Sequence, residues 1–506
     1  MASRDDLTLE CDTSVVGGGT AGCVVAGRLA AESDADVILL EAGPDYGPPD
    51  SGRWPADLLD GGALGTSNGW GYESGDLYPG RAPIEFERAR VIGGCSSHNG
   101  CIAAVGCPED YDRWATVSGD NGWRADALRP LFARALERLR VRHYDDAEIG
   151  PYHRACIEAA AALGWPLGDD LDDLDAGIAF GAEPVNVENG VRVNAAFAYL
   201  DPARQRPNLR VVDETLCDKL VFSADAVEVI GRRYGAELRV RAGRVVLAAG
   251  AYGSPAVLLR SGVGDPDDLR SLGIDPVHPL PGVGANLHDH PLVEIDFAGS
   301  DALRALLLDA AAVGFVPEEQ SIGKLRSSRA TGPYDLHLMP VAASEASLFK
   351  GRVLIGASAL EPRSRGRLRL RSADPVTPPL LDHGYFSDPE SHDLAVVMEG
   401  VALVRELAGV PALRSLLGVE TTPGTSAELA AAIRRIHGHY FHPVGTCAMG
   451  QANDPGAVCD GHGRVHGLDR VFVADCSLMP FVPRANTNVP AAVVGERMAD
   501  TLLATI

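Results

Sequence analysis

VIGGCSSHNG, residues 91–100, gathers a thiol, two hydroxyls and an imidazole into a run too rich in glycine and serine to form a helix or strand face. His98 stands in the middle of it, and a neutral imidazole is a nucleophile. A second histidine cluster, HGHYFHPVGTCAMG, holds His439 and His442, and Asn486 follows 44 residues after His442. An imidazole there has the type of a general base, because its ordinary pKa lies near neutrality. The ten cysteines contain no CxxC pair and no regular framework. They read as reduced thiols of a cytoplasmic protein, and no metal is expected.

Such side chains need a scaffold, and DTSVVGGGTAGCVVAGRLAAESDADVILLEAGP supplies its first part. Asp12 to Val16 reads as a short buried strand, Thr20 to Ala31 as a helix, and Asp36 to Leu40 as a second strand ending at Glu41. Gly17, Gly19 and Gly22 satisfy G-x-G-x-x-G at the turn. The glycines allow a tight turn and close backbone approach to a pyrophosphate, while the helix N-terminus offers free N–H groups. Glu41, 19 residues beyond Gly22, stands where an acid accepts hydrogen bonds from a ribose diol. The motif predicts a dinucleotide and leaves NAD and FAD open.

Two later segments have the same character. In GRVVLAAGAYGSPAVLLRSGVG, Arg244 to Ala248 reads as a strand, followed by Ala249, Gly250 and a helix starting near Ser254 and Pro255. Toward the C-terminus, Arg470 to Ala474 reads as a strand running into Asp475. The final helix is announced by Asn488 as N-cap and Pro490 just inside. Between these nucleotide-type segments, SRGRLRLRSADPVTPPLLDHGYF has the pattern of strands in a sheet floor, and HDLAVVMEGVALVRELA has helical spacing.

Composition bounds the rest. The chain has 506 residues, is 46% hydrophobic and 23% charged, and carries a formal net charge of -24. That charge argues against nucleic acid as a partner. No run of about 18 apolar residues suggests a membrane span, and the acidic start MASRDDLTLE lacks the basic region of a signal peptide. The run LGDDLDDLDAG, residues 167–177, lacks the glycine and glutamate placement of a calcium loop. It reads either as a solvated acidic loop or as an electrostatic funnel for a cationic substrate.

VVGGGTAGCVVAGRLA, ARVIGGCSSHNG, GAYGSPAVLLRSGVG, PGVGANLHDH, HPVGTCAMG and VADCSLMP…NTNVPAAVVGER occur in the order found in one family. On these pieces the sequence resembles the glucose–methanol–choline (GMC) family of FAD-dependent oxidoreductases across nearly its whole length. GGCSSHN is shared most closely with choline-oxidising members. The resemblance implies an α/β fold: a discontinuous Rossmann-like FAD-binding domain with a mixed-sheet α+β substrate-binding domain. Residues 1–150, 206–282 and 441–506 would form the FAD-binding and catalytic parts, and 151–205 and 283–440 the cap and substrate-binding parts.

The resemblance implies FAD held by Gly17, Gly19, Thr20, Ala21, Gly22, Glu41, Ala42, Arg90, Gly94, Cys95, Ser96, His98, Asn99, Gly100, Cys217, Ala249, Gly250, Asp475 and Thr487. It makes His98 the bearer of a covalent bond to the flavin 8-methyl carbon; the alternative is a histidine packed beside the ring without a bond. His442 would take the hydroxyl proton of an alcohol, with Asn486 holding its oxygen, while a hydride passes to flavin N5. Leu292 stands where choline oxidisers carry the glutamate that holds the ammonium group, Met339 where they carry a histidine, and Gly100 where they carry a serine. With Tyr440 and Phe441, Leu292 and Met339 would line a less polar pocket, for an alcohol other than choline such as an amino alcohol or a natural-product intermediate. Oxygen is the expected acceptor, and a homodimer is an open expectation. A dehydrogenase using another acceptor and a non-redox hydroxynitrile-lyase-type flavoprotein are the alternatives.

Overall fold

The computed structural model describes residues 7–77, 81–343, 348–349, 351–424 and 428–506; residues 1–6 of the acidic N-terminal stretch therefore lie outside the described residues. Two seven-stranded sheets organise the chain. In the first, the strands run in the order Leu209–Val212, Val37–Leu40, Leu7–Val16, Ala236–Leu247, Val227–Arg233 and Thr215–Phe222. Val471–Val473 adds in parallel beside the end of Ala236–Leu247, pairing Val245 with Val471. Val37–Leu40 is buried at every residue, as expected of a parallel strand covered on both faces.

Two of these strands are longer than the sequence reading. The first begins at Leu7 rather than Asp12, and its partner at Ala236 rather than Arg244. Thr8 to Cys11 alternate between exposed and half-buried, so no continuous apolar run marks that half as strand. The helix placed near Ser254 starts at Gly250, which puts Pro255 inside it. Proline cannot donate to the carbonyl four residues back. That carbonyl, on Ala251, accepts the Thr446 hydroxyl at 2.6 Å instead, which removes the conflict. The last helix spans Asn488–Leu503 with Thr487, not Asn488, at the N-cap.

The second sheet is antiparallel in every pairing, with strands ordered Glu420–Thr422, Pro291–Phe297, Val353–Ala359, Leu336–Ala342, Ser321–Leu325 and Ala179–Ala182. Gly438–His439 pairs with Pro291 and Leu292. The helix His392–Gly409 covers one face, and its Gly400 sits against Leu336 and Ala357, where a Cβ would come within 3.1 Å of both side chains. Strand alternation then turns His337 and Met339 to the opposite face, toward the first sheet. The segment read as sheet floor forms a separate two-stranded piece, Arg367–Arg369 with Leu380–Asp382. Of the acids of 169–175, Asp170 pairs inward with the buried Lys324, Asp169 and Asp172 share His143, and Asp175 pairs with Arg129.

Candidate active site

A cavity of about 440 Å³ runs between the two sheets, from the glycine turn after the first strand to the loop carrying His442. At its first end Gly17 has a positive φ, and a Cβ there would lie 2.4 Å from the Ala248 carbonyl oxygen. Gly22 is held tighter, since its Cβ would fall 1.9 Å from the Gly17 carbonyl oxygen. These two contacts press helix and strands together, whereas Gly19 has nothing nearer than 3.9 Å and opens onto the cavity. No side chain caps the helix Thr20–Glu32, so its first N–H groups remain for a ligand. Glu41 locks the same turn, its two oxygens accepting the Gly18 and Gly43 N–H groups at 2.8 Å. Burial nevertheless pushes its pKa up to about 7.

The 91–100 stretch lies directly on this turn. Gly94 has a positive φ, and a Cβ there would meet Gly19 Cα at 2.6 Å. Ser96 and Ser97 turn inward, donating to the carbonyls of Gly93 and Ile92 at 2.6 and 3.0 Å. Arg192, fully buried, donates to the carbonyls of Ser97 and Asn99 on either side of His98. His98 thereby faces the cavity with its Nε2 unpartnered. Burial, with the Arg192 and Arg88 charges, pushes it down to about 4, so the imidazole is neutral.

At the other end Phe441 adopts a left-handed backbone (φ 64°) just before His442. The His442 N–H donates to Asp289 Oδ1 at 3.0 Å, and its Nδ1 lies 3.0 Å from Nδ1 of His290. Burial, followed by the neighbouring His290 and Arg88, holds its pKa well below the ordinary histidine value. Tyr440 packs its ring 4.5 Å from that of His442, and its hydroxyl lies 3.5 Å from Nδ1 of His337. Asn486 also lines the cavity, with its Oδ1 buried and without a partner. Asp289, His290 and His442 place one ligand-type atom each within 4.8 Å of one another, the arrangement also compatible with a bound cation. Asp475 staples the two ends: its Oδ2 accepts the Gly250 N–H at 2.8 Å and the Ser254 hydroxyl at 2.5 Å, and its Oδ1 accepts the Ser477 N–H at 2.7 Å.

The residues singled out in the sequence converge here with three exceptions. Gly22 and Ser96 act one layer behind the wall, as described, and so does Leu292. Leu292 belongs to an apolar cluster with Met339, and both crowd the space at Gly356, where a Cβ would lie 3.0 Å from Leu292 Cδ1 and 3.6 Å from Met339 Cε. Met339, Tyr440 and Phe441 do line the cavity. Sequence reasoning passed over Arg88, Glu319 and Asn488 in the wall, and His290 behind His442. His290 ends the stretch PGVGANLHDH quoted above; Arg88 and Glu319 carry no local sign, because only the fold turns them inward.

The wall fits FAD on its own chemistry. Arg88 Nε and Nη2, His98 Nε2 and both amide atoms of Asn488 are buried without partners, and each residue lines the cavity beside the glycine turn or the final helix N-terminus. Polar atoms in such positions require a bound group to complete them.

Comparisons with known proteins agree. Two family profiles, both described as GMC oxidoreductase, match residues 11–292 and 362–495. Choline oxidase of Arthrobacter globiformis is 34% identical, over 97% of this chain and 94% of its own length. Oxygen-dependent choline dehydrogenase 1 of Chromohalobacter salexigens is 32% identical, over 97% and 94%. Pyridoxine 4-oxidase from Mesorbium loti superposes with a TM-score of 0.84 at 27% identity, covering 97% of this chain and 98% of its own. A formate oxidase at 22% identity and a TM-score of 0.85 shares the fold.

Proposed function

The chain belongs to the GMC oxidoreductase family and is an FAD-dependent alcohol oxidoreductase, and we propose that it oxidises an alcohol other than choline to the aldehyde or ketone, with oxygen as final acceptor. The observation that carries this reading is that a neutral, buried His442 and Asn486, whose amide oxygen has no partner, line the same cavity. His442 takes the hydroxyl proton, and Asn486 holds the substrate oxygen. FAD, when bound, supplies the acceptor for the hydride at its N5. Gly17, Gly19 and the first turn of the following helix would hold its pyrophosphate, Glu41 its ribose, and His98, whose neutral Nε2 faces the cavity, its ring at the 8-methyl group.

The substrate reading rests on the wall. Met339 and Tyr440 line it, and Leu292 occupies the position of the choline oxidisers' glutamate. Oxygen as acceptor is supported by the relatives, which include a choline oxidase, an oxygen-dependent choline dehydrogenase and a pyridoxine 4-oxidase. We assign residues 1–150, 206–282 and 441–506 to the cofactor side and 151–205 and 283–440 to the substrate side.

The test is anaerobic addition of a panel of alcohols to the yellow enzyme, followed by air and a peroxide assay. Bleaching by an alcohol, followed by peroxide, is the expected result. Cyanide release from a cyanohydrin without bleaching would establish lyase chemistry instead, and bleaching without peroxide would assign another acceptor.

A further inference from the structure

Glu319 brings a carboxylate into the cavity from the loop leading into a strand that none of the family motifs marks. It stands two residues before Ser321–Leu325 and lines the cavity together with Gly100, Ile102, Met339 and Tyr440. The residue is 9% exposed, and a Cβ built on Gly100 would lie 2.5 Å from its Oε2, so the carboxyl group rests on the Gly100 backbone. Among the described residues no cation neutralises it: burial and the neighbouring Glu318 are what act on it, and they push its pKa up to about 8.

Glu183 stands behind it. Its N–H donates to the Gln320 carbonyl at 3.1 Å, it is fully buried, and both its carboxylate oxygens lack hydrogen-bond partners. Burial and the Glu319 charge push its pKa well above the usual carboxylate range. Two acids held together in a dry wall are costly as anions unless a cation joins them. Here one of the two faces the cavity that takes the substrate.

We propose that Glu319, backed by Glu183, forms an anionic subsite that binds the protonated amine of the substrate, making the substrate an amino alcohol whose hydroxyl meets His442 and Asn486. The placement of the hydroxyl rests on the alcohol-oxidation reading above; the binding of the amine does not. The Glu319 carboxylate, facing the cavity, selects an ammonium bearing N–H groups, since it accepts from them charge-assisted hydrogen bonds that a quaternary ammonium cannot give. Met339, Ile102 and Leu64 supply apolar contact for the carbon body between amine and hydroxyl. A carboxylate thus returns to the pocket by a different route from the position that Leu292 occupies.

The experiment compares two alcohols of one shape, 4-(aminomethyl)benzyl alcohol and 4-ethylbenzyl alcohol, by the concentration dependence of anaerobic flavin bleaching. The wild type half-saturates at a concentration about tenfold to a hundredfold lower for the amino alcohol, and in Glu319→Gln that ratio falls toward one. A redox-inert probe, 4-methylbenzylammonium, is titrated separately by its perturbation of the flavin absorbance, and the response is lost in Glu319→Gln. Glu183→Gln gives a smaller loss and serves if the first variant does not retain flavin. Equal half-saturation in the wild type, a preference that survives both substitutions, or a silent ammonium probe overturns the subsite. Ammonium binding without bleaching by any alcohol leaves the subsite standing and overturns alcohol oxidation; bleaching by the uncharged alcohol alone does the reverse.

Discussion

His442 and His290 face each other through Nδ1 atoms 3.0 Å apart, in a pocket whose burial keeps both rings neutral. Two neutral imidazoles at that distance share one hydrogen, donated by one Nδ1 and accepted by the other. For His442 to present a free Nε2 to a hydroxyl, its own Nδ1 must carry the hydrogen and His290 must accept it. His290 is therefore a positioning residue that sets the tautomer of the base.

Replacing it separates that role from packing. His290→Ala is expected to slow anaerobic flavin bleaching roughly tenfold to a hundredfold at saturating alcohol, with flavin content retained. His290→Asn keeps an amide oxygen as acceptor and recovers part of the rate. Equal losses in the two variants would reduce His290 to filler.

Gly22 admits a sharper test of the nucleotide end. A methyl group there would fall 1.9 Å from the Gly17 carbonyl oxygen, which is backbone and cannot swing aside. Gly22→Ala is expected to yield protein without yellow flavin or no folded protein, whereas Gly19→Ala, with its open surroundings, retains flavin at reduced affinity. The measurement is flavin absorbance per folded chain, and normal flavin content in Gly22→Ala would contradict the close approach.

The contrast between those glycines marks what the sequence could say. Local geometry was legible wherever a motif is continuous, as with Gly17, Gly19, Gly22 and Glu41, or His98 within its turn. Strand length was not, because Thr8 to Cys11 and the first half of Ala236–Leu247 are covered incompletely and lack an apolar run. Nor could a single chain position reveal Glu319 beside Gly100, since 219 residues separate them and only the antiparallel pairing of Ser321–Leu325 with Ala179–Ala182 carries Glu319 to the wall. Leu292 shows the opposite limit: its place in the sequence suggested a pocket residue, but it packs in an apolar cluster with Met339 and does not line the cavity.

Acid should expose a buried histidine packed against the segment that carries Glu319. His153 Nε2 lies 3.1 Å from the Glu318 carbonyl, which only accepts, so Nε2 carries the hydrogen and Nδ1 accepts from the Ser321 hydroxyl at 2.9 Å. Burial pushes its pKa down to about 4. Unfolded histidine takes up a proton near 6.5 while the folded one resists until about 4. Its stabilising contribution is therefore complete above pH 6.5 and is lost as pH falls toward 4, at about 1.4 kcal/mol per unit and roughly 3 kcal/mol in all. His153→Gln does not titrate, so between about pH 7 and pH 5 the wild-type Tm should fall more steeply than the variant's. Parallel declines would remove His153 from the acid response.

His98 can be tested for its bond directly. Its imidazole is neutral, its Nε2 has no partner, and Arg192 pins the carbonyls of Ser97 and Asn99 on either side, so the nucleophile is fixed rather than free to turn away. Acid precipitation of the wild type is expected to leave the yellow colour with the pellet, and digestion to yield a flavin-bearing peptide that contains His98. His98→Ala should fold with flavin bound but release all of it to the supernatant. Cys95, the thiol of the stretch and a residue of the cavity wall, is the control: Cys95→Ser keeps the colour in the pellet if His98 bears the link. Colour in the supernatant for the wild type as well would make His98 a packing partner of the ring and nothing more.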